Sequence, residues 1–203
     1  MLRNDKGINI NGYYCAARRE PIGMSGKHGS MILVKETIQD VVELDFLQTQ
    51  FQDEVIGIEI KRKNNRPGLN IVTYYNPPGN RINPGIFQKS LYDNNGTIFT
   101  GDLNCKHLAW GSNSTDPQGT HLLETLENQD WIILNDGSKT RIDPRNGKEE
   151  VLDLMMCTPD LLKMGPEFSV GECVGSDHLP LLCSLTFGQG HSKIQSSLVK
   201  SLK

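Results

Sequence analysis

Two short segments place acid, amide and imidazole groups where apolar runs give way to loops. Gly101-Asp102-Leu103-Asn104 follows Thr97-Ile98-Phe99-Thr100, and Ser176-Asp177-His178 precedes Leu179-Pro180-Leu181-Leu182. Strand ends along one edge of a sheet are where α/β proteins gather sites from distant parts of the chain. Carboxylates, a carboxamide and a histidine gathered there suit metal-assisted attack of water on a phosphate ester. Singly, each segment reads as well as local structure, since Gly, Asp and Asn favour turns and Ser and Asp cap helices. A third acid tips the balance. Asp153 sits inside Val151-Leu152-Asp153-Leu154-Met155-Met156, where a carboxylate is costly to bury unless it is paired. Its expected partner is His178, whose tautomer it would fix and whose imidazolium it would stabilise. The competing reading turns Asp153 to solvent from a half-exposed strand.

Other residues join these by position. Asp102 and Asn104 alternate across Leu103, so an extended segment aims both one way and Leu103 into the core. The carboxylate then orients a water while the carboxamide donates to a phosphate oxygen. Tyr75 ends a strand before Asn76-Pro77-Pro78-Gly79, and reads either as packing or as a hydroxyl bonded to phosphate. Trp110, in Trp110-Gly111-Ser112, reads as a stacking surface for a base or sugar or as a plug closing the loop onto the sheet. His28, His107, His121 and His191 have no comparable setting, and no zinc spacing occurs. The oxygen-rich donor set favours Mg²⁺ or Mn²⁺.

The elements that must position these groups are mostly short strands. Apolar patterning predicts them over Gly12–Ala17, Ser30–Lys35, Glu54–Lys61, Leu69–Tyr75, Thr97–Asp102, Trp131–Leu134, Val151–Cys157, Phe168–Cys173 and Leu181–Phe187. The third and fourth form a hairpin across the basic link from Arg62 to Gly68. The clearest helix runs from Gln118 to Gln129, with an entry signal at Thr115-Asp116-Pro117 and an apolar stripe at Leu122, Leu123 and Leu126. Shorter helices are expected at Gly85–Leu91 and Pro159–Lys163. From Gly188 the chain is expected to be a disordered tail. Many strands with few helices fit a two-sheet sandwich with helices outside, and a doubly wound parallel fold would need more crossover helices.

The 203 residues suit one domain, with 36% hydrophobic and 22% charged residues and a net charge of −3. That charge gives no global basic footprint for nucleic acid. The five scattered cysteines include no Cys-x-x-Cys pair, which argues for a reducing compartment. With neither a secretory leader nor a spanning apolar run, the expected location is intracellular, nuclear or cytoplasmic.

Five stretches then fall into a known order: Tyr75-Asn76-Pro77-Pro78, Gly101-Asp102-Leu103-Asn104 through Trp110-Gly111-Ser112, Leu134-Asn135-Asp136-Gly137 with Thr140, Val151-Leu152-Asp153-Leu154, and Ser176-Asp177-His178-Leu179-Pro180. This set resembles the endonuclease/exonuclease/phosphatase superfamily, and more narrowly the apurinic-endonuclease-like endonuclease domain of non-LTR retrotransposons. The resemblance covers Gly12 to Phe187. It implies a four-layer α/β/β/α sandwich of two mixed, largely antiparallel sheets. It implies divalent-metal-dependent cleavage of a DNA phosphodiester, leaving a 3′-hydroxyl that primes reverse transcription, with a reverse transcriptase domain as partner in a full-length element. By motif, Asp102 would position and deprotonate water, Asn104 would hold the phosphate, and Tyr75 would bond it or help the leaving group. His178, oriented by Asp153, would act on the scissile phosphate. Mg²⁺ or Mn²⁺ would be held by Asp102, Asn104 and Asp177, and Trp110 and Thr140 would contact DNA.

The family begins with a strand–helix–strand unit ending in a Glu-Thr pair, whose Glu is the principal metal ligand. Ile8-Asn9-Ile10-Asn11-Gly12-Tyr13-Tyr14 resembles the segment downstream of it. The expectation is therefore a domain over 1–187 that lacks this unit of about 30 residues, followed by the tail 188–203, with activity reduced or absent. The alternatives are a non-catalytic remnant or nucleic-acid-binding fragment, or a phosphatase of the same superfamily.

Overall fold

The structure, a computed structural model, describes residues 10–19, 29–45, 54–61, 68–88, 95–186 and 193–198. Its strands are β1 (Tyr13–Arg19), β2 (Ser30–Lys35), β3 (Val41–Glu43), β4 (Glu54–Ile60), β5 (Leu69–Tyr75), β6 (Gly96–Asp102), β7 (Ile132–Ile133), β8 (Arg141–Ile142), β9 (Glu149–Glu150), β10 (Asp153–Cys157), β11 (Glu167–Val170), β12 (Leu181–Thr186) and β13 (Lys193–Leu198); helix α1 spans Pro117–Asn128. A six-stranded sheet has the order β3-β4-β5-β6-β10-β7, a three-stranded sheet the order β11-β12-β13, and β1-β2 and β8-β9 are separate ribbons. Within the described residues only β5 and β6 pair in parallel, so the sheets are mixed and largely antiparallel.

Alternation along the strands divides the core. Phe99 and Met156 join Val72, Tyr74 and Leu154 on one face, against Leu122 and Leu126 of α1, Ile86, Phe87 and Trp131. Their neighbours Ile98 and Met155 face the other way, onto Leu181, Cys183 and Leu185 of β12. The β1-β2 ribbon sets Ala17, Ile32 and Val34 against Ile56 and Ile58 of β4. Helix, six-stranded sheet and second sheet layer thus form an α/β sandwich. A helical layer outside the second sheet is not among the described residues.

Helix α1 starts where its sequence requires. The Asp116 side chain accepts from Gly119 N at 2.7 Å, and Pro117 fills a first-turn position whose N–H would have no helical partner. The Phe99 ring lies 4.7 Å from Phe87 and 5.9 Å from Trp131, and Trp131 Nε1 donates to Phe87 O at 2.7 Å. Truncating Phe99 to Ala would cost about 3–5 kcal/mol, the usual loss for a buried aromatic.

Several sequence expectations shift. The 84–87 segment is one 3-10 turn rather than the start of a helix to 91, and residues 89–91 lie outside the described residues, as do residues 62–67 of the basic link. A 3-10 turn also covers Pro159–Met164. Within the segment expected to be a disordered tail, Lys193–Leu198 form β13, paired antiparallel along β12, and the rest of that segment lies outside the described residues. Backbone pairing forms that strand without the apolar content that sequence patterning depends on. The strands β3, β8 and β9 were likewise not foreseen.

Candidate active site

Asp102 ends β6, the central strand, with β5 on one side and β10 on the other. The register places Tyr75 beside Asp102 across the parallel pair and Asp153 beside Asp102 across the antiparallel pair. Directly paired residues present their side chains to the same face. One row across three strands therefore carries a hydroxyl and two carboxylates. Tyr75 is half-buried, while Asp102 and Asp153 are 5% and 2% exposed. Close strand approach forms this row, and Gly101 permits it: a Cβ there would lie 1.8 Å from Tyr74 O.

The loop after β6 departs from the extended alternation expected of it. Leu103 is fully buried as foreseen, but Asn104 has φ 47°, in the left-handed region that Asn tolerates better than most residues. Its Nδ2 donates to Asn76 O at 3.0 Å, so the amide is held by the loop after β5. Asn76 is the hidden brace. It is 2% exposed, donates from Nδ2 to Asn80 O and Leu103 O, and accepts from Tyr74 Oη at 3.3 Å. Its backbone N–H donates to Asp102 O at 2.8 Å.

His178 reaches the row from a loop stitched to β8. Ile142 N donates to Asp177 O, Leu179 N donates to Thr140 O, and Arg141 and His178 form an antiparallel bridge. His178 Nδ1 lies 2.7 Å from Asp153 Oδ2, and Nε2 lies 3.9 Å from Asp102 Oδ2. The short contact places the ring proton on Nδ1 when the imidazole is neutral, leaving Nε2 on the side of Asp102. The three residues each offer one ligand atom within 4.8 Å of the others.

Not every expected member joins them. Asp177, expected at a metal, lies outside this cluster and accepts from Arg141 Nε at 3.1 Å. Trp110, expected to stack on DNA, is fully buried in the main core with its ring 5.3 Å from His107. It closes its loop onto the core. Thr140, also expected to touch DNA, is fully buried, and its Oγ1 accepts from Leu152 N and Asp153 N, both at 3.0 Å. Its surroundings make it a bracket for Asp153.

Sequence reasoning missed the rest of the scaffold. Asn135 acts like a strand residue at the edge of β10, donating to Asp153 O and accepting from Met155 N. Buried Glu150 receives Lys106 at 3.1 Å and Lys148 at 2.7 Å on the same oxygen. Burial alone would raise the Glu150 pKa, but the two ammonium groups outweigh it and hold the carboxyl below its usual range. Asn76 and Asn135 stood inside motifs already noticed, whereas nothing in the sequence singled out Glu150.

The arrangement fits a hard divalent cation. Asp102 offers a carboxylate oxygen, the donor type that such a cation takes. The His178–Asp153 contact is an imidazole–carboxylate hydrogen bond instead of a pair of metal ligands.

Residues 69–182 match the endonuclease–reverse transcriptase family. Among solved structures, the fold is similar to the endonuclease domain of TRAS1, a telomere-specific non-LTR retrotransposon, with TM-score 0.67 and 21% identity over 89% of this chain and 83% of that one. It is also similar to the 3′ phosphatase NExo from Neisseria bound to product DNA hairpin, with TM-score 0.64 and 14% identity over 86% and 79% of the two chains. No curated protein matches the sequence. No helix among the described residues is long and apolar enough to cross a membrane.

Proposed function

The chain belongs to the endonuclease–reverse transcriptase family of the endonuclease/exonuclease/phosphatase superfamily, and from that premise we propose that it is a divalent-metal-dependent DNA endonuclease of retrotransposon type. The observation that carries the reading is the His178 ring held at 2.7 Å by Asp153, with its other nitrogen 3.9 Å from Asp102.

In this reading water attacks phosphorus and the bond to O3′ breaks, leaving a 3′-hydroxyl and a 5′-phosphate. Asp102 takes the proton from water. His178, kept in one tautomer by Asp153, meets the phosphate through Nε2 and, when protonated, donates to the charge that builds on its oxygens. Tyr75, beside Asp102 in the row, hydrogen-bonds the phosphate or the leaving oxygen. Asp102 and Asn104 would hold Mg²⁺ or Mn²⁺, which would supply Lewis-acid polarisation of the phosphoryl group and offset its charge. DNA is the substrate, and a reverse transcriptase is the partner in which the 3′-hydroxyl is used.

Nicking of supercoiled plasmid in Mg²⁺ and in Mn²⁺ tests the reading, with Asp102→Ala, His178→Ala and a generic phosphomonoester as controls. Each substitution should lower nicking by about 10²–10⁴-fold, the range for loss of a general acid or base. Absence of nicking by the unsubstituted chain in both metals, or nicking that survives both substitutions, would refute it. Turnover of the monoester alone would favour a phosphatase.

A further inference from the structure

Arg141 stands next to the catalytic histidine and commits only part of its side chain. It is the bridge partner of His178, and its neighbours Thr140 and Ile142 each hydrogen-bond the backbone of the 177–179 segment. The guanidinium gives Nε to Asp177 Oδ2 at 3.1 Å. Among the described residues its Nη1 and Nη2 groups have no acceptor. The side chain is 29% exposed against 16% for Asp177, so the ion pair has an open side.

The nearby cations are placed differently. Lys106 and Lys148 both donate to Glu150, and Lys139 donates to Gly111 O at 2.7 Å and Asn113 Oδ1 at 3.3 Å. Of the four, Arg141 is the one bridged to His178. A guanidinium fixed through Nε still presents a planar pair of amino groups, the fork that matches two phosphate oxygens. On a chain of net charge −3, a polyanion must be drawn by local positive charge.

We propose that Arg141 binds a backbone phosphate of the nucleic acid beside the scissile group through its Nη groups, and that Asp177 positions it. This rests on the endonuclease reading. Asp177 thereby serves as an orienting residue for an arginine.

The test is binding of a labelled DNA duplex to the full chain in EDTA, followed by fluorescence anisotropy across a salt series. Arg141→Ala should weaken binding about tenfold or more and flatten the slope of log Kobs against log salt by about 0.9, one phosphate contact. Arg141→Lys should keep the slope and lose affinity, since a point charge replaces the fork. A scan of single methylphosphonates should find one position that weakens the unsubstituted chain and leaves Arg141→Ala unaffected. In nicking, Arg141→Ala should raise KM far more than it lowers kcat. Should Arg141→Ala fail to fold, Arg141→Gln takes its place in each measurement. An unchanged salt slope, or a methylphosphonate scan with no position at which the variant is indifferent, would overturn the proposal and leave the endonuclease reading standing. Failure of the unsubstituted chain to bind the duplex both in EDTA and with a divalent cation present would sink both.

Discussion

Replacing Thr140 by Val keeps the shape of a fully buried side chain and removes one oxygen. That oxygen accepts from Leu152 N and Asp153 N at 3.0 Å each, so the substitution leaves two interior N–H groups without their acceptor. A buried donor left unsatisfied costs about 1–3 kcal/mol, and the pair should cost about 2–6 kcal/mol. For a chain of this length each kcal/mol moves Tm by about 2–4 °C, giving a fall of roughly 4–24 °C. Thr140→Ser retains the oxygen and should lose only the burial of one methyl, about 1 kcal/mol. The effect reaches the chemistry because Asp153 holds the His178 ring at 2.7 Å. Small misplacements of reacting groups cost up to about 10²-fold, so kcat should fall by about that much with KM little changed. A Thr140 that touched DNA would behave the opposite way, raising KM and leaving Tm alone. Thermal unfolding by circular dichroism, with nicking kinetics on the same samples, separates the two. A Thr140→Val variant that melts with the unsubstituted chain and shows only a raised KM would refute the bracket.

Gly101→Ala should yield no cooperatively folding protein, because its Cβ would sit 1.8 Å from Tyr74 O in the middle of the six-stranded sheet; an unchanged melting temperature would contradict the strand register at the site. Glu150 has its pKa lowered on folding, so its contribution to stability is fully present above the ordinary value of 4.5 and is lost as pH falls through the lower folded value. Urea titrations of Glu150→Gln should therefore show a flatter loss of stability below pH 4.5 than the unsubstituted chain, and parallel curves would show that the two lysines do not outweigh burial. Ellman's reagent should modify exposed Cys173 first in the native protein, while buried Cys105, Cys157 and Cys183 react only in denaturant. Burial pushes the thiols of Cys157 and Cys183 up to about 11, with Cys183 adding to the shift at Cys157. Equal rates at all five would mean the two faces of the main sheet are not packed as described.

The strands legible in the sequence are those whose burial is periodic or continuous. Ser30–Lys35 and Leu69–Tyr75 are read to the residue, and the ends of β6 and β12 to within one, because water must be excluded from their apolar side chains. Strands formed by backbone pairing alone leave no such trace: β8 is Arg-Ile, β9 is Glu-Glu, and β3 is an edge strand with Val42 and Glu43 exposed. The site divides along the same physical line. Asp153 could be assigned a partner from sequence because an ionised carboxylate in an apolar run demands one, and His178 is that partner at 2.7 Å. Thr140 and Trp110 carried no comparable demand. A hydroxyl or an indole is at home in a loop, in a core or against a ligand, so their chemistry alone does not choose among these. The Asp102–Asn104 alternation misled for a further reason: it assumed an extended backbone, and the left-handed turn at Asn104 is stabilised by Asn76, 28 residues away. Sequence therefore reveals functional groups when their burial carries a large energetic cost. The neutral side chains that hold those groups in place emerge only when the backbone they bond is known.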